Sequence, residues 1–137
     1  MAVAKWAAPG SRSSNIASTT LNSLANAAES AVVTYDNSGN RNLYGAVTLK
    51  LGSITPGTGG SVSLRVTASD GTDTADKAGG DVYVSALTSG ASAKVIIWPI
   101  VRIYPFSLRF SVVNNSGVTL NASGNEIYVT PYNEDVT

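Results

Sequence analysis

The 137-residue chain contains no cysteine and no histidine. Without cysteine there is no disulfide and no thiolate metal site, and the redox compartment leaves no mark. Without histidine the chain lacks the commonest general base, the commonest metal ligand and the usual activator of a serine nucleophile. Charge is scarce too: Asp, Glu, Lys and Arg make up 13% of the residues, against roughly 25% in typical soluble domains. Nine basic and nine acidic side chains cancel to a formal net charge of +0. Such a surface is kept wet mainly by Ser, Thr, Asn and Gly, and copies of it do not repel one another. With no basic stripe, nucleic acid is not an expected partner. Long apolar runs are missing as well. No stretch approaches the roughly 18 residues that span a bilayer, and the opening "MAVAKWAAPGSRSS" has no apolar core of signal-peptide length. The expectation is a soluble protein with no membrane partner and no export signal.

What is present is alternation. The length suits one domain with a core of its own, and from about residue 31 the text is written in period two. "SVSLRVTAS" puts Val62, Leu64, Val66 and Ala68 on one side and Ser63, Arg65 and Thr67 on the other. "LYGAVTLKLGSI" does the same with Val47, Leu49 and Leu51, and "YPFSLRFSVV" with Phe106, Leu108, Phe110 and Val112. This is the pattern of half-buried strands. "AVVTYD", "VYVSAL" and "EIYVTP" read as further short strands, and "VTLNASGN" as a short edge strand with a turn. Pro99 and Pro105 cut the most apolar run, which predicts strands near 93–98 and 106–113 with an irregular crossing between them. Pro131 is expected to end the last ladder. Seven or so strands punctuated by Gly, Pro and Asn predict an all-β chain, an antiparallel β-sandwich or jelly roll over residues 31–137, ending in a short C-terminal tail. Residues 1–30 differ. "ASTTLNSLANAAES" fits either a short helix capped by Ser18 or Thr19 or an extended N-terminal arm; only two large apolar residues would anchor the helix, which favours the arm.

Candidate chemistry is thin. Asp70, Asp73, Asp76 and Asp81 crowd one loop, but their spacing departs from a calcium loop and suits a solvated hairpin. "GTGG" at 57–60 is followed by neither Gly-Lys-Ser/Thr nor a helix, so it is not a phosphate loop. Glu29, Glu126 and Glu134 fall in arm, turn and tail segments, a poor start for a paired-carboxylate glycosidase. The expectation is no enzyme: no catalytic residue, no metal, no cofactor. Trp98 reads as core. Arg102 and Arg109 take outward strand positions. Trp6, Tyr83, Tyr104, Tyr128 and Tyr132 could stack on sugars or pack against a partner. The partner-binding candidates are Val3, Trp6, Leu21, Leu24 and Tyr132: Trp6 docks on a neighbouring subunit or on the chain's own edge, and Tyr132 anchors the tail on an adjacent copy.

The segments "TLNSLANAAES", "TYDNSGNRNLYGAVTLKLGSITPGTGGSVSLRV", "YPFSLRFSVVNNSGVTLNASGN" and "YVTPYNEDV" together resemble a family of small structural proteins of tailed bacteriophages. The resemblance covers nearly the whole chain, and "LNSLAN", "NNSGVTLNASGN" and "PYNED" are its most specific pieces. It implies a virion component, most like a capsid decoration (cement) protein on the capsid surface: a homotrimer seated on the major capsid protein, with no catalytic residue to carry over. The alternatives are a jelly-roll module of a head or tail fibre that binds a host surface glycan, and a tail or neck component.

Overall fold

The computed structural model describes residues 2–76 and 81–136, and it is all-β. Nine strands follow in order: β1 (Ala4–Trp6), β2 (Val33–Asp36), β3 (Tyr44–Ile54), β4 (Ser61–Thr67), β5 (Val82–Ala86), β6 (Ser92–Arg102), β7 (Ser107–Asn115), β8 (Glu126–Tyr132) and β9 (Glu134–Val136). Every strand pairing is antiparallel. A four-stranded sheet in the order β2-β7-β4-β5 faces a three-stranded sheet in the order β6-β3-β8, and β1 and β9 form a separate two-stranded ribbon. This is the antiparallel sandwich that the alternation predicts. Val62, Leu64 and Val66 of β4 and Leu108, Phe110 and Val112 of β7 meet Val47, Leu49 and Leu51 of β3, Ile127 and Val129 of β8, and Ile96 and Trp98 of β6 in one continuous core. Each such buried side chain contributes about 1.5–3 kcal/mol of transfer free energy. Among the described residues no helix is long and apolar enough to cross a membrane.

Three sequence expectations are corrected. Pro99 does not end its strand: β6 runs on to Arg102, with an irregularity where Ala46 lies between the Gly45–Val101 and Val47–Trp98 pairs. On an edge strand, at a bulge, a missing N–H costs no ladder bond. Pro131 does not end the last ladder either, since it pairs with Gly45 and the strand continues to Tyr132. "VTLNASGN" forms no strand. It is a set of bends held by asparagine side chains, with Leu120 plugged into the core. There Gly52 is required because a Cβ would lie 2.2 Å from the Ser123 carbonyl oxygen.

Residues 17–28 resolve the choice between helix and arm. Ser18, Ser23 and Ala27 have left-handed backbones (φ 50°, 55° and 64°), which no right-handed helix tolerates. The segment is a run of tight turns, such as Thr20 N–H to Ala17 C=O and Leu24 N–H to Leu21 C=O. It then joins β7 through Ala27 N–H to Asn114 C=O and Ser30 N–H to Val112 C=O.

Residues 7–16 close the outer edge of β8 without forming a strand. Amides of Ala7, Gly10, Ser13 and Ile16 donate to the carbonyls of Asn133, Pro131, Val129 and Ile127 at 2.8–3.0 Å. The arm therefore advances three residues for every two of β8. In return, the Val129 amide donates to Ser13 Oγ and the Ile127 amide to Asn15 Oδ1, each at 2.9 Å. Pro131, which has no N–H, stands where the arm supplies only a donor, and Gly10 eases the close approach there, since a Cβ would lie 3.0 Å from the Pro131 ring. An edge that would otherwise recruit foreign strands is thus satisfied group by group.

Candidate interaction face

The outer side of the three-stranded sheet carries the residues that point away from the core. Strand register sets the rows: Thr48 lies between Ile97 and Tyr128, Lys50 between Val95 and Glu126, and Tyr44 between Arg102 and Tyr132. On β6 the side chains Val95, Ile97 and Ile100 are 62%, 57% and 54% exposed. Three bulky β-branched groups on one exposed row are unusual for a surface in water, where single exposed apolar residues are normal and contiguous ones mark contact sites.

An aromatic cluster occupies the end of this face near the ribbon. Tyr44 and Tyr132 stack with centroids 5.5 Å apart, and Trp6 meets both edge-on at 5.7 and 5.4 Å. The Tyr132 hydroxyl crosses the face to donate to the Pro99 carbonyl at 2.7 Å, which satisfies the irregular part of β6. The Tyr44 hydroxyl donates to Glu134 Oε1 at 3.1 Å. That carboxylate holds the Tyr44 phenol above its ordinary pKa, while burial does so for Tyr132. Beside the cluster Ala4, Lys5, Trp6 and Glu134 line an open depression of about 300 Å³. At the opposite end the Arg12 guanidinium lies 3.4 Å from the centre of the Tyr128 ring, whose hydroxyl donates to Glu126 Oε2 at 2.7 Å and is raised in pKa by that bond. The face thus grades from a capped, polar β8 side to a bare, apolar β6 side.

The partner-binding candidates separate accordingly. Trp6 lies on the ribbon and Val3 just before it, 57% and 60% exposed. Trp6 packs on its own chain and still presents more than half of its surface. Tyr132 is half-buried, its ring and hydroxyl both engaged within the chain, which corrects the expectation of a free tail: β9 pairs with β1, Ala4 opposite Val136. Leu21 is a correction outright. It is wholly buried in the chain's own core, and Leu24 is partly buried against the same core, its carbonyl accepting from Leu120 N–H and Asn114 Nδ2. Leu21 is out of a partner's reach, and Leu24 presents only part of its side chain. The residues that sequence reasoning passed over are Val95, Ile97 and Ile100. Their signal is present in "KVIIWPI", a strand apolar on both faces.

Trp98 is in the core, as its surroundings predict. Arg109 points outward from the four-stranded sheet, where Arg65 lies 3.5 Å from Glu29 and the Ser111 hydroxyl donates to Glu29 at 2.5 Å. Glu126 and Glu134 sit at opposite ends of the other sheet's outer face. In the acidic loop, Asp70 Oδ1 accepts the Thr72 and Asp73 amides at 2.8 Å, which lowers its pKa and makes it a turn-former. Lys77–Gly80 of that loop lie outside the described residues. Among the described residues no three His, Cys, Asp or Glu side chains converge as a metal site would require.

No family model matches the chain, and neither a curated protein nor a solved structure is significantly similar to it.

Proposed function

We propose that this chain is a virion structural protein: a decoration subunit that seats on the outside of a tailed-phage head and works by contact, bridging neighbouring copies of the major capsid protein. The observation that carries the contact role is the outer face of the β6-β3-β8 sheet, which has an aromatic cluster at one end, charged side chains along β3 and β8, and an apolar row of Val95, Ile97 and Ile100 exposed along β6. A sandwich with no disulfide and a formal net charge of +0 suits a molecule that must pack densely beside its own copies. The viral setting comes from the sequence resemblance.

The test is addition of the purified chain to undecorated heads, followed by co-sedimentation and cryo-microscopy. Trp6→Ala removes an exposed anchor, so attachment is expected to weaken at least about tenfold, with circular dichroism unchanged and thermal stability lowered by the loss of its contacts to Tyr44 and Tyr132. Failure of the intact chain to bind heads, or its absence from assembled particles, overturns this reading.

A second reading is favoured by the depression beside Trp6, where an exposed indole, Lys5 and the Glu134 carboxylate could hold a sugar. Glycan binding that disappears in Trp6→Ala, together with no attachment to heads, would move the chain to a fibre module that recognises a host surface glycan.

A further inference from the structure

The strand edges of this sandwich are treated unequally. The β8 edge is closed by residues 7–16, and the upper part of β7 by residues 27–30. Among the described residues, the edges left open are β2, four residues long, β5, five, and β6, eleven. A long open edge flanked by exposed apolar side chains is a template for another strand.

We propose that β6 is a self-association edge, occupied by a second copy of this chain in antiparallel register about a two-fold axis at Ile96. The regular part of β6 ends at Trp98, before the irregularity, so an axis at Ile96 uses the straight stretch alone. It sets Val95 opposite the second copy's Ile97, and Ile97 opposite its Val95, which buries four β-branched side chains on one continuous outer face. Register suits this pairing, because the straight stretch Lys94–Trp98 is centred on Ile96 and meets its own copy residue for residue. Charge permits it. No carboxylate lies on β6, Lys94 falls opposite Trp98, and Arg102 lies beyond the paired stretch. Lys94 does not guard the edge. Its ammonium is turned into the β5–β6 loop, donating to Gly90 C=O and Ser92 Oγ at 2.8 Å and to Thr88 Oγ1 at 3.4 Å. Edge pairing extends the sheet and leaves its face uncovered, so the contact consists of the β6 backbone edge and the four flanking side chains, less than the roughly 800 Å² per partner of a standard complex, which places the association at high protein concentration. Strand pairing of a segment with itself is isologous and yields two copies, not the three that the resemblance implies.

This rests on the reading that the chain works by contact, and the two can fail separately. Sedimentation velocity on the full chain, without heads, should give twice the 14.0 kDa of a single chain. Ile97→Lys and Val95→Lys, both at exposed positions, should each return it to a single-chain mass, with circular dichroism unchanged. A wild-type chain that is monomeric at millimolar concentration overturns the proposal. So does a trimer, or a dimer that survives both substitutions. Head binding measured in parallel reports on the function alone: a dimer that never binds heads leaves this edge standing and removes the decoration role.

Discussion

The Asn114 carboxamide, wholly buried, donates to the Leu24 and Val118 carbonyls at 2.9 and 2.8 Å and accepts from the Ser116 amide at 3.0 Å. Asn37 performs the same task between β2 and β3, bonding Asn42 on both sides and the Tyr104 carbonyl. Asn125 holds the amide of Gly52. Replacing Asn114 by alanine removes three hydrogen bonds and strips the Ser116 amide of its acceptor, while the Leu24 and Val118 carbonyls keep the Leu120 amide and the Ser116 hydroxyl, so a loss of about 3 kcal/mol is expected in urea unfolding; a change below about 1 kcal/mol would mean that water restores those bonds. Titration is also set at single residues. Ser38 holds the Asp36 carboxyl, and the amides of Asp73 and Thr72 hold that of Asp70, below the usual carboxylate range. These contributions are full above the unfolded value of about 4 and disappear as pH falls through the lower folded values. Tyr44, Tyr128 and Tyr132 are held above their ordinary value, so theirs are full below about pH 10 and are lost as pH climbs through the raised values. With no histidine in between, the melting temperature should be nearly flat from about pH 5 to 9 and should fall on both sides. A transition near pH 6 in a thermal-melt series would contradict this.

Among the elements, the arm over β8 carries the clearest prediction. Ser13→Ala with Asn15→Ala removes the two acceptors of the β8 amides, so hydrogen exchange at Ile127 and Val129 should accelerate while exchange at Val47 on neighbouring β3 stays slow. Equal acceleration at all three would show global destabilisation instead. Deleting residues 1–15 would strip the same edge and invite aggregation, so it is a poor probe of attachment. The arm also marks the limit of what could be read from residues alone. β3, β4, β7 and β8 were legible because one face is buried and one is wet, and that leaves period two in the text. Three arm residues per two strand residues leaves no such period. Leu21 and Leu24 looked like anchors for a partner because nothing near them in sequence could bury them; the segment from Asn114 to Leu120 that covers Leu24 lies some ninety positions further on. Pro99 and Pro131 were read as stops because the cost of a missing N–H depends on whether a neighbour needs it, which is a tertiary fact.

For the whole molecule, sparse and balanced charge bears on the proposed pairing of copies through β6. Association through Val95 and Ile97 buries apolar groups and neutralises no ion pair, so the measured mass should be unchanged between about 0.05 and 0.5 M salt, where the Debye length shortens several-fold. Dissociation on adding salt would point instead to Arg102 or Arg109 meeting a carboxylate. The pairing of β1 with β9, Ala4 opposite Val136, has a practical corollary. A short glycine-containing turn could join Val136 back to Ala4 and make the backbone a ring. Reopening that ring at Thr72–Asp73, an exposed turn packed beside Tyr104 and Phe106, would give a circular permutant whose new ends leave from the acidic loop instead of the ribbon, a handle for display outside the straight part of β6.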